Sequence, residues 1–165
     1  GGDSASVPQQ LTGIQVKAPD LGPKKVERRM GVELRVPQGW SREQRREVIE
    51  LRSRDGAARV AISAPGPAAD AGKLHSQVVA GLRSSYRDFE VAERIAKAPL
   101  GGLKGQAIVA SGTLASKQGK AAQRILVTTA AGRDRAYVVA LFTAGETSRS
   151  VLEAQALVNS LRFTK

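Results

Sequence analysis

Catalysis needs side chains that bond covalently, move protons or hold metals, and this sequence offers few of them. It contains one His and no Cys. Disulfides, thiolate metal sites, Cys nucleophiles and iron–sulfur clusters are therefore excluded, as are multi-His metal centres. His75 has Ser76 beside it and Asp70 five residues before it, but no Gly-x-Ser-x-Gly and no Ser-x-x-Lys with its partner motifs surrounds any Ser. One residue after Leu74 in an apolar stripe, His75 reads as an ordinary surface or boundary histidine. The segment Gly112-Thr113-Leu114-Ala115-Ser116-Lys117-Gln118-Gly119-Lys120 superficially suggests a phosphate-binding loop. It fails on spacing, on Ala121 in place of the Mg²⁺-binding Ser or Thr, and on leading into a strand. It reads as a hairpin turn with two exposed lysines. Glu43, Glu47 and Glu50, and Glu90 and Glu93, read as solvated faces, because nothing marks a cleft across which two carboxylates converge. Calcium-loop spacing is absent.

Charge is the remaining signal. Lys and Arg number 26 against 15 Asp and Glu, a formal net charge of +11 in 165 residues. Between residues 103 and 135 lie Lys104, Lys117, Lys120, Arg124, Arg133 and Arg135, with Asp134 the sole acid. Such surfaces attract phosphate polymers, anionic lipid heads or acidic partners by long-range Coulomb steering. Aromatic residues are only 4%, too few for a stacking platform, so sequence-specific nucleic-acid reading is not expected. A second basic group, Arg42, Arg45 and Arg46, is softened by Glu43 and Glu47. Trp40, after a Pro-x-Gly turn, reads as a cap on the core rather than a ligand platform.

The elements that would carry these residues follow from periodicity. Val32, Leu34 and Val36 alternate with polar residues, which predicts a half-buried strand ending at Pro37-Gln38-Gly39-Trp40. Residues 41–47 are too polar for core. Val48–Ser53 and Ala57–Ser63 read as strands joined at Arg54-Asp55-Gly56, where Asp-Gly suits a tight hairpin turn. Leu74, Val78, Leu82 and Tyr86, with Val79, form a helical stripe over 69–86, with Asp70 as candidate N-cap. Strands follow at 89–98, with Phe89, Val91, Glu93 and Ile95 on one side, and at 105–115, 121–130 and 135–143. The last helix, 147–160, turns Val151, Leu152, Ala156, Leu157 and Val158 inward. Short turns between strands imply an antiparallel sheet with two helices covering its apolar faces, an α+β class. Direct pairing of the last three strands would place their two basic turns at opposite ends of the sheet. No apolar run approaches the roughly 18 residues that a membrane helix requires.

The order of motifs resembles the PsbP-like superfamily, whose bacterial relatives include DcrB-like proteins and LpqN-type lipoproteins. The matching residues are Val32–Trp40, the strand pair around Arg54-Asp55-Gly56, Tyr86-Arg87-Asp88-Phe89-Glu90-Val91, Leu100-Gly101-Gly102-Leu103-Lys104-Gly105, and Val158-Asn159-Ser160-Leu161-Arg162-Phe163. They cover about residues 31–163. The resemblance implies an α-β-α sandwich with an antiparallel sheet of six or seven strands flanked by helices. It also implies binding or assembly rather than catalysis, with no catalytic residue, metal or cofactor to carry over.

Residues 1–30 are expected to be a flexible N-terminal tether or arm, because prolines at 8, 19 and 23 break a stretch without periodicity. Residues 31–165 are expected to form the PsbP-like domain. The start Gly1-Gly2-Asp3, without Met, suits a secreted protein or a lipoprotein whose signal peptide has been removed; a lipoprotein's anchoring Cys would lie upstream. The expected function is that of a non-catalytic, exported binding or assembly domain at the extracytoplasmic side of a bacterial membrane. Its expected partner is a protein of an envelope complex or an anionic envelope component, engaged through Lys104, Lys117, Lys120, Arg124, Arg133 and Arg135. The alternatives are an intracellular DcrB-like adaptor or chaperone of a secretion system, which would need an exposed apolar groove, and a small hydrolase using His75.

Overall fold

Alternation in the central strands determines the layering. In the computed structural model, which describes residues 19–116, 119–144 and 148–163, Ala58, Val60, Ile62 and Ala64 are buried along one strand with less buried residues between them. The elements run β1 (Leu21–Glu27), β2 (Val32–Pro37), β3 (Ser41–Arg45), β4 (Val48–Arg52), β5 (Ala58–Pro67), a 3-10 turn (Ala68–Asp70), α1 (Ala71–Ser85), β6 (Arg87–Ile95), β7 (Gly105–Ser116), β8 (Gly119–Ala131), β9 (Arg135–Thr143), α2 (Arg149–Ser160) and β10 (Arg162–Phe163). Seven strands form an antiparallel sheet in the order β3-β4-β5-β9-β8-β7-β6. Another three form a small sheet, β1-β2-β10.

The two faces of the large sheet carry separate cores, because strand residues alternate between them. Ile108, Ala110, Ile125, Val127, Val138, Ala140 and Phe142 face α1, where Val78, Val79 and Leu82 cover them. Val60, Ile62, Val139 and Leu141 face the other way. There α2 and the small sheet supply Ala154, Leu157, Val32 and Leu34. The result is the expected α-β-α sandwich. Each fully buried Leu, Ile or Val contributes about 1.5–3 kcal/mol relative to an exposed one.

Two glycines are required by geometry. Gly56 closes the β4–β5 turn at φ 74°, with its N–H donating to the Ser53 carbonyl at 3.1 Å. Gly112 lies under Tyr86, where a Cβ would come within 2.9 Å of the Tyr86 Cβ.

Four expectations change. The arm does not extend to residue 30: Leu21–Glu27 pairs with β2 as β1. Its residues are half-buried or exposed, so backbone bonding holds it without an apolar pattern. Residues 41–45 stay out of the core as expected, and form the wholly exposed edge strand β3 by backbone pairing. In β6, register shifts between Arg87 and Glu90 and between Val91 and Glu93 break the alternation. Phe89 and Val91 pack on the α1 side, whereas Glu93 pairs with Val109 and Ile95 with Ala107, which point to the opposite face. In α2, the buried residues are Ser150, Val151, Ala154 and Leu157, and Leu152 is 38% exposed. Ser148 caps this helix, its hydroxyl accepting from the Val151 N–H at 3.3 Å. Asp70 precedes α1 without a side-chain cap bond, because the 3-10 turn leads into the helix there.

Candidate functional site

Strand register decides which turns share an end of the sandwich. Val48 pairs with Ser63, and Ser63 with Val138. Pro67 pairs with Arg135, Ala131 with Ala136, and Gly105 with Ala130. The β3–β4 turn, the β8–β9 turn and the β6–β7 connection therefore lie at one end. The β1–β2 turn is bound to the same end. The Arg135 guanidinium donates to the Arg29 carbonyl at 2.6 Å, and the Tyr137 hydroxyl donates to the Met30 carbonyl at 2.9 Å.

These turns bring together Arg28, Arg29, Arg46, Lys104, Arg133 and Arg135, all exposed except the half-buried Arg135. Among the described residues none of the six forms an ion pair, and the neighbouring acids are engaged or few. Arg42 holds Glu27, and Arg45 holds Glu43 at 2.7 Å. Glu47, next to Arg46, and Asp134, between Arg133 and Arg135, remain exposed. Unpaired guanidinium groups at turn tips keep their positive field in solvent, where it is felt over about a Debye length, roughly 8 Å at physiological salt.

The six expected partner-binding residues thus separate. Lys104, Arg133 and Arg135 belong to this end. Lys120 lies toward the opposite end of β8, roughly 35 Å away by strand rise. Arg124 is on the α2-facing side of β8, beside a cavity of about 210 Å³ with Val109, Leu126, Leu141 and Val151. Lys117 lies outside the described residues. The expected division of the two turns occurs. What the linear count missed is that Arg28, Arg29 and Arg46 reinforce one of them. The signal available was Arg28-Arg29-Met30-Gly31, a basic pair before a glycine, obscured by its place in a supposed arm.

His75 is not at the surface. It is the one buried residue of α1, at 7% exposure, with Nδ1 2.7 Å from Thr129 Oγ1. Burial, and secondarily the Arg94 charge, push its pKa down. The hydrogen-bonded, uncharged ring is a packing element between α1 and the sheet.

At the other end, Asp20, Gln38, Trp40, Arg54, Asp55, Arg149, Ser150 and Glu153 surround a cavity of about 430 Å³. Asp55 accepts from Ser53 Oγ at 2.7 Å, Ser150 Oγ at 2.8 Å and the Ala57 N–H at 3.0 Å. These bonds, the Ala57 N–H first, hold its carboxyl below the usual range. They tie the β4–β5 turn to the first turn of α2. Trp40 packs partly against the core and donates Nε1–H to Glu153 at 3.4 Å. Among the described residues no group of three or more His, Asp or Glu is placed to hold a metal, and no helix is long and apolar enough to cross a membrane.

No family model matches the sequence, and no curated protein matches it. Solved structures do. One from Bacteroides thetaiotaomicron VPI-5482 is similar over 87% of this chain at 14% identity, with a TM-score of 0.55. This chain spans about half of that protein, 49% of its length. LpqN, described as involved in cell envelope biogenesis of Mycobacterium tuberculosis, aligns over 88% of this chain and 87% of its own at 16% identity and TM-score 0.49. PA94 of Pseudomonas aeruginosa, of unknown function, aligns over 74% of this chain and 84% of its own at 15% identity and TM-score 0.42. At such identities the likeness to the Bacteroides structure is one of fold alone.

Proposed function

We propose that this chain is a non-catalytic, exported binding domain of the PsbP-like kind, working at the extracytoplasmic side of a bacterial membrane, where its basic end engages an anionic envelope component. One observation carries the reading. Arginines from the β1–β2, β3–β4 and β8–β9 turns meet at one end of the sandwich with no carboxylate paired to them among the described residues. Unpaired surface charge of one sign does nothing for the fold and favours association with the opposite sign. The envelope location rests on the motif resemblance. The adaptor alternative is less favoured. The cavity beside α2, lined by Arg124, Thr143 and Gln155 as well as by apolar side chains, has about 210 Å³, below the about 300–1,000 Å³ of typical ligand clefts.

The test is capture on the immobilised domain from cognate envelope extract at physiological salt, followed by a salt step. An anionic lipid or polymer in the salt eluate is the expected result, lost when Arg29 and Arg133 are both changed to Glu. A specific protein in that eluate would redirect the reading to envelope assembly. No retention, or retention indifferent to the charge reversal, would overturn it.

A further inference from the structure

Within the basic end, three arginines from two neighbouring turns line one open cleft. Arg28, Arg29 and Arg46 line a cleft of about 570 Å³ between the β1–β2 and β3–β4 turns, together with Val26, Glu27 and Gln44. We propose that this cleft is an oxyanion site that takes a phosphate group, held between the guanidinium groups of Arg28, Arg29 and Arg46 and the Gln44 amide. The inference rests on the reading of the basic end as the binding surface and names the chemistry it recognises.

The lining is arranged to donate. Glu27, the cleft's only acid, is ion-paired to Arg42. The same Arg42 donates from Nη2 to Gln44 Oε1 at 3.0 Å, which leaves the Gln44 NH₂ group to donate elsewhere. Arg28, Arg29, Arg46 and Gln44 thus line a cleft in which the single carboxylate is already paired. Guanidinium forks match the spacing of phosphate oxygens and bind them with charge-assisted bonds.

The walls are held by the rest of the fold. The Gly31 N–H donates to the Glu27 carbonyl at 2.8 Å, closing the β1–β2 turn. Arg135 and Tyr137 bind the carbonyls of Arg29 and Met30, so the turn is seated on β9. On the other wall, Arg45 pairs with Val48 and leaves Arg46-Glu47 as a two-residue turn. Arg46 has φ 47°, a backbone region that hairpin turns fill with glycine or asparagine. An arginine held there costs stability relative to glycine, and such residues concentrate at functional sites.

That backbone angle supplies a discriminating variant. Arg46→Gly relaxes the turn while removing one guanidinium. The experiment titrates ¹⁵N-labelled protein with inorganic phosphate at constant ionic strength, with chloride as control. Saturable amide shifts at Arg28, Arg29, Gln44 and Arg46 are expected. Affinity should fall about tenfold for Arg46→Gly and for Arg28→Gln with Arg29→Gln. The melting temperature of Arg46→Gly should be unchanged or raised. Shifts that chloride reproduces, shifts spread evenly over Lys104 and Arg133, or unchanged affinity in Arg46→Gly would overturn the site. Vesicles of phosphatidylcholine with and without phosphatidic acid then distinguish the source. Retention by the anionic vesicles assigns a lipid headgroup, and binding of free phosphate alone assigns a soluble phosphate. If phosphate fills the cleft while envelope extract leaves nothing on the immobilised domain, the proposed function fails and the site stands. If the extract leaves an anionic component whose capture is unchanged by Arg46→Gly, the site fails and the function stands.

Discussion

At the Trp40 end of the sandwich, Arg54 and Arg149 share their cavity with Asp20, Asp55 and Glu153; at the opposite end, Arg28, Arg29, Arg46 and Arg133 stand at turn tips with no ion pair among the described residues. Both ends are rich in arginine and both are built from turns. The difference lies in what the carboxylates do. Asp55, though exposed, directs its charge to internal partners: it accepts from Ser53 and Ala57 two residues away and from Ser150, 95 residues away in sequence. At the basic end Glu27 and Glu43 are captured by Arg42 and Arg45 beside the cleft, and Glu47 and Asp134 stand exposed without pairing to the arginines of the cleft. Arginine content alone therefore says little about a binding surface. The pairing of the nearest acids decides it.

Four variants test this contrast between the two ends and the core that joins them. The largest effect is expected for Asp55→Ala, which leaves the buried Ser53 and Ser150 hydroxyls without their acceptor. The unfolding free energy should fall by about 2 kcal/mol in denaturant melts, with anion binding at the far end unchanged. Loss of binding in this variant would show that the ends are coupled. The Asp55 carboxyl is depressed in the fold, so its contribution is present above the unfolded value of about 3.9 and disappears as pH falls through the lower folded value.

Next, Arg29→Glu with Arg133→Glu should weaken anion binding about tenfold or more and flatten its salt dependence. Stability should stay within about 0.5 kcal/mol, as for surface substitutions away from structural contacts. A larger loss of stability would make these arginines structural.

His75 gives a change of slope. The charged groups near it are cationic or distant. Arg94 of β6 faces it, Lys73 and Arg83 lie on its own helix, Asp70 precedes that helix, and Arg59 of β5 lies over Phe142. Its pKa is lowered in the fold, so the unfolded chain takes up the proton first as pH falls. Stability should hold above about 6.5, the unfolded value, and decline below it. His75→Gln, which keeps a hydrogen-bonding group for Thr129, should flatten that decline in urea melts across pH 7.5 to 5. An unchanged decline would remove His75 as its cause.

The smallest effect belongs to Trp40→Phe. Its bond to Glu153 is long at 3.4 Å, and the ring's core contact is largely retained by Phe. A stability loss of about 1 kcal/mol or less is expected. A larger one would make the Trp40 end depend on that bond.

Much of the layering was legible in the chain itself. Val32, Leu34 and Val36, then Ile49 and Leu51, then Val60 and Ile62, alternate because one face of each strand packs on a core. Asp55-Gly56 marks its hairpin because only a small residue sits easily at φ 74°. Elements held mainly by backbone bonds were not legible. β1 and β3 bury little side chain, so they impose no period on Leu21–Glu27 or Ser41–Arg45. The bulges of β6 defeat a simple alternation count, and Leu152 lies on the open side of α2, which a count of apolar residues alone does not distinguish.

The candidate site divides in the same way. Sequence alone determined that the chain is basic, that it lacks Cys and offers one His, and that Lys104, Arg133 and Arg135 belong to turns of a meandering sheet. Those properties depend on residue identity and on neighbours a few positions away. Tertiary structure alone decided that Arg28 and Arg29 join Arg46 across a cleft, that Glu27 is neutralised by Arg42, and that His75 is closed in against Thr129. Each depends on strand register and sheet order bringing together residues that are distant in sequence, and Coulomb and hydrogen-bond energies depend on distance in space.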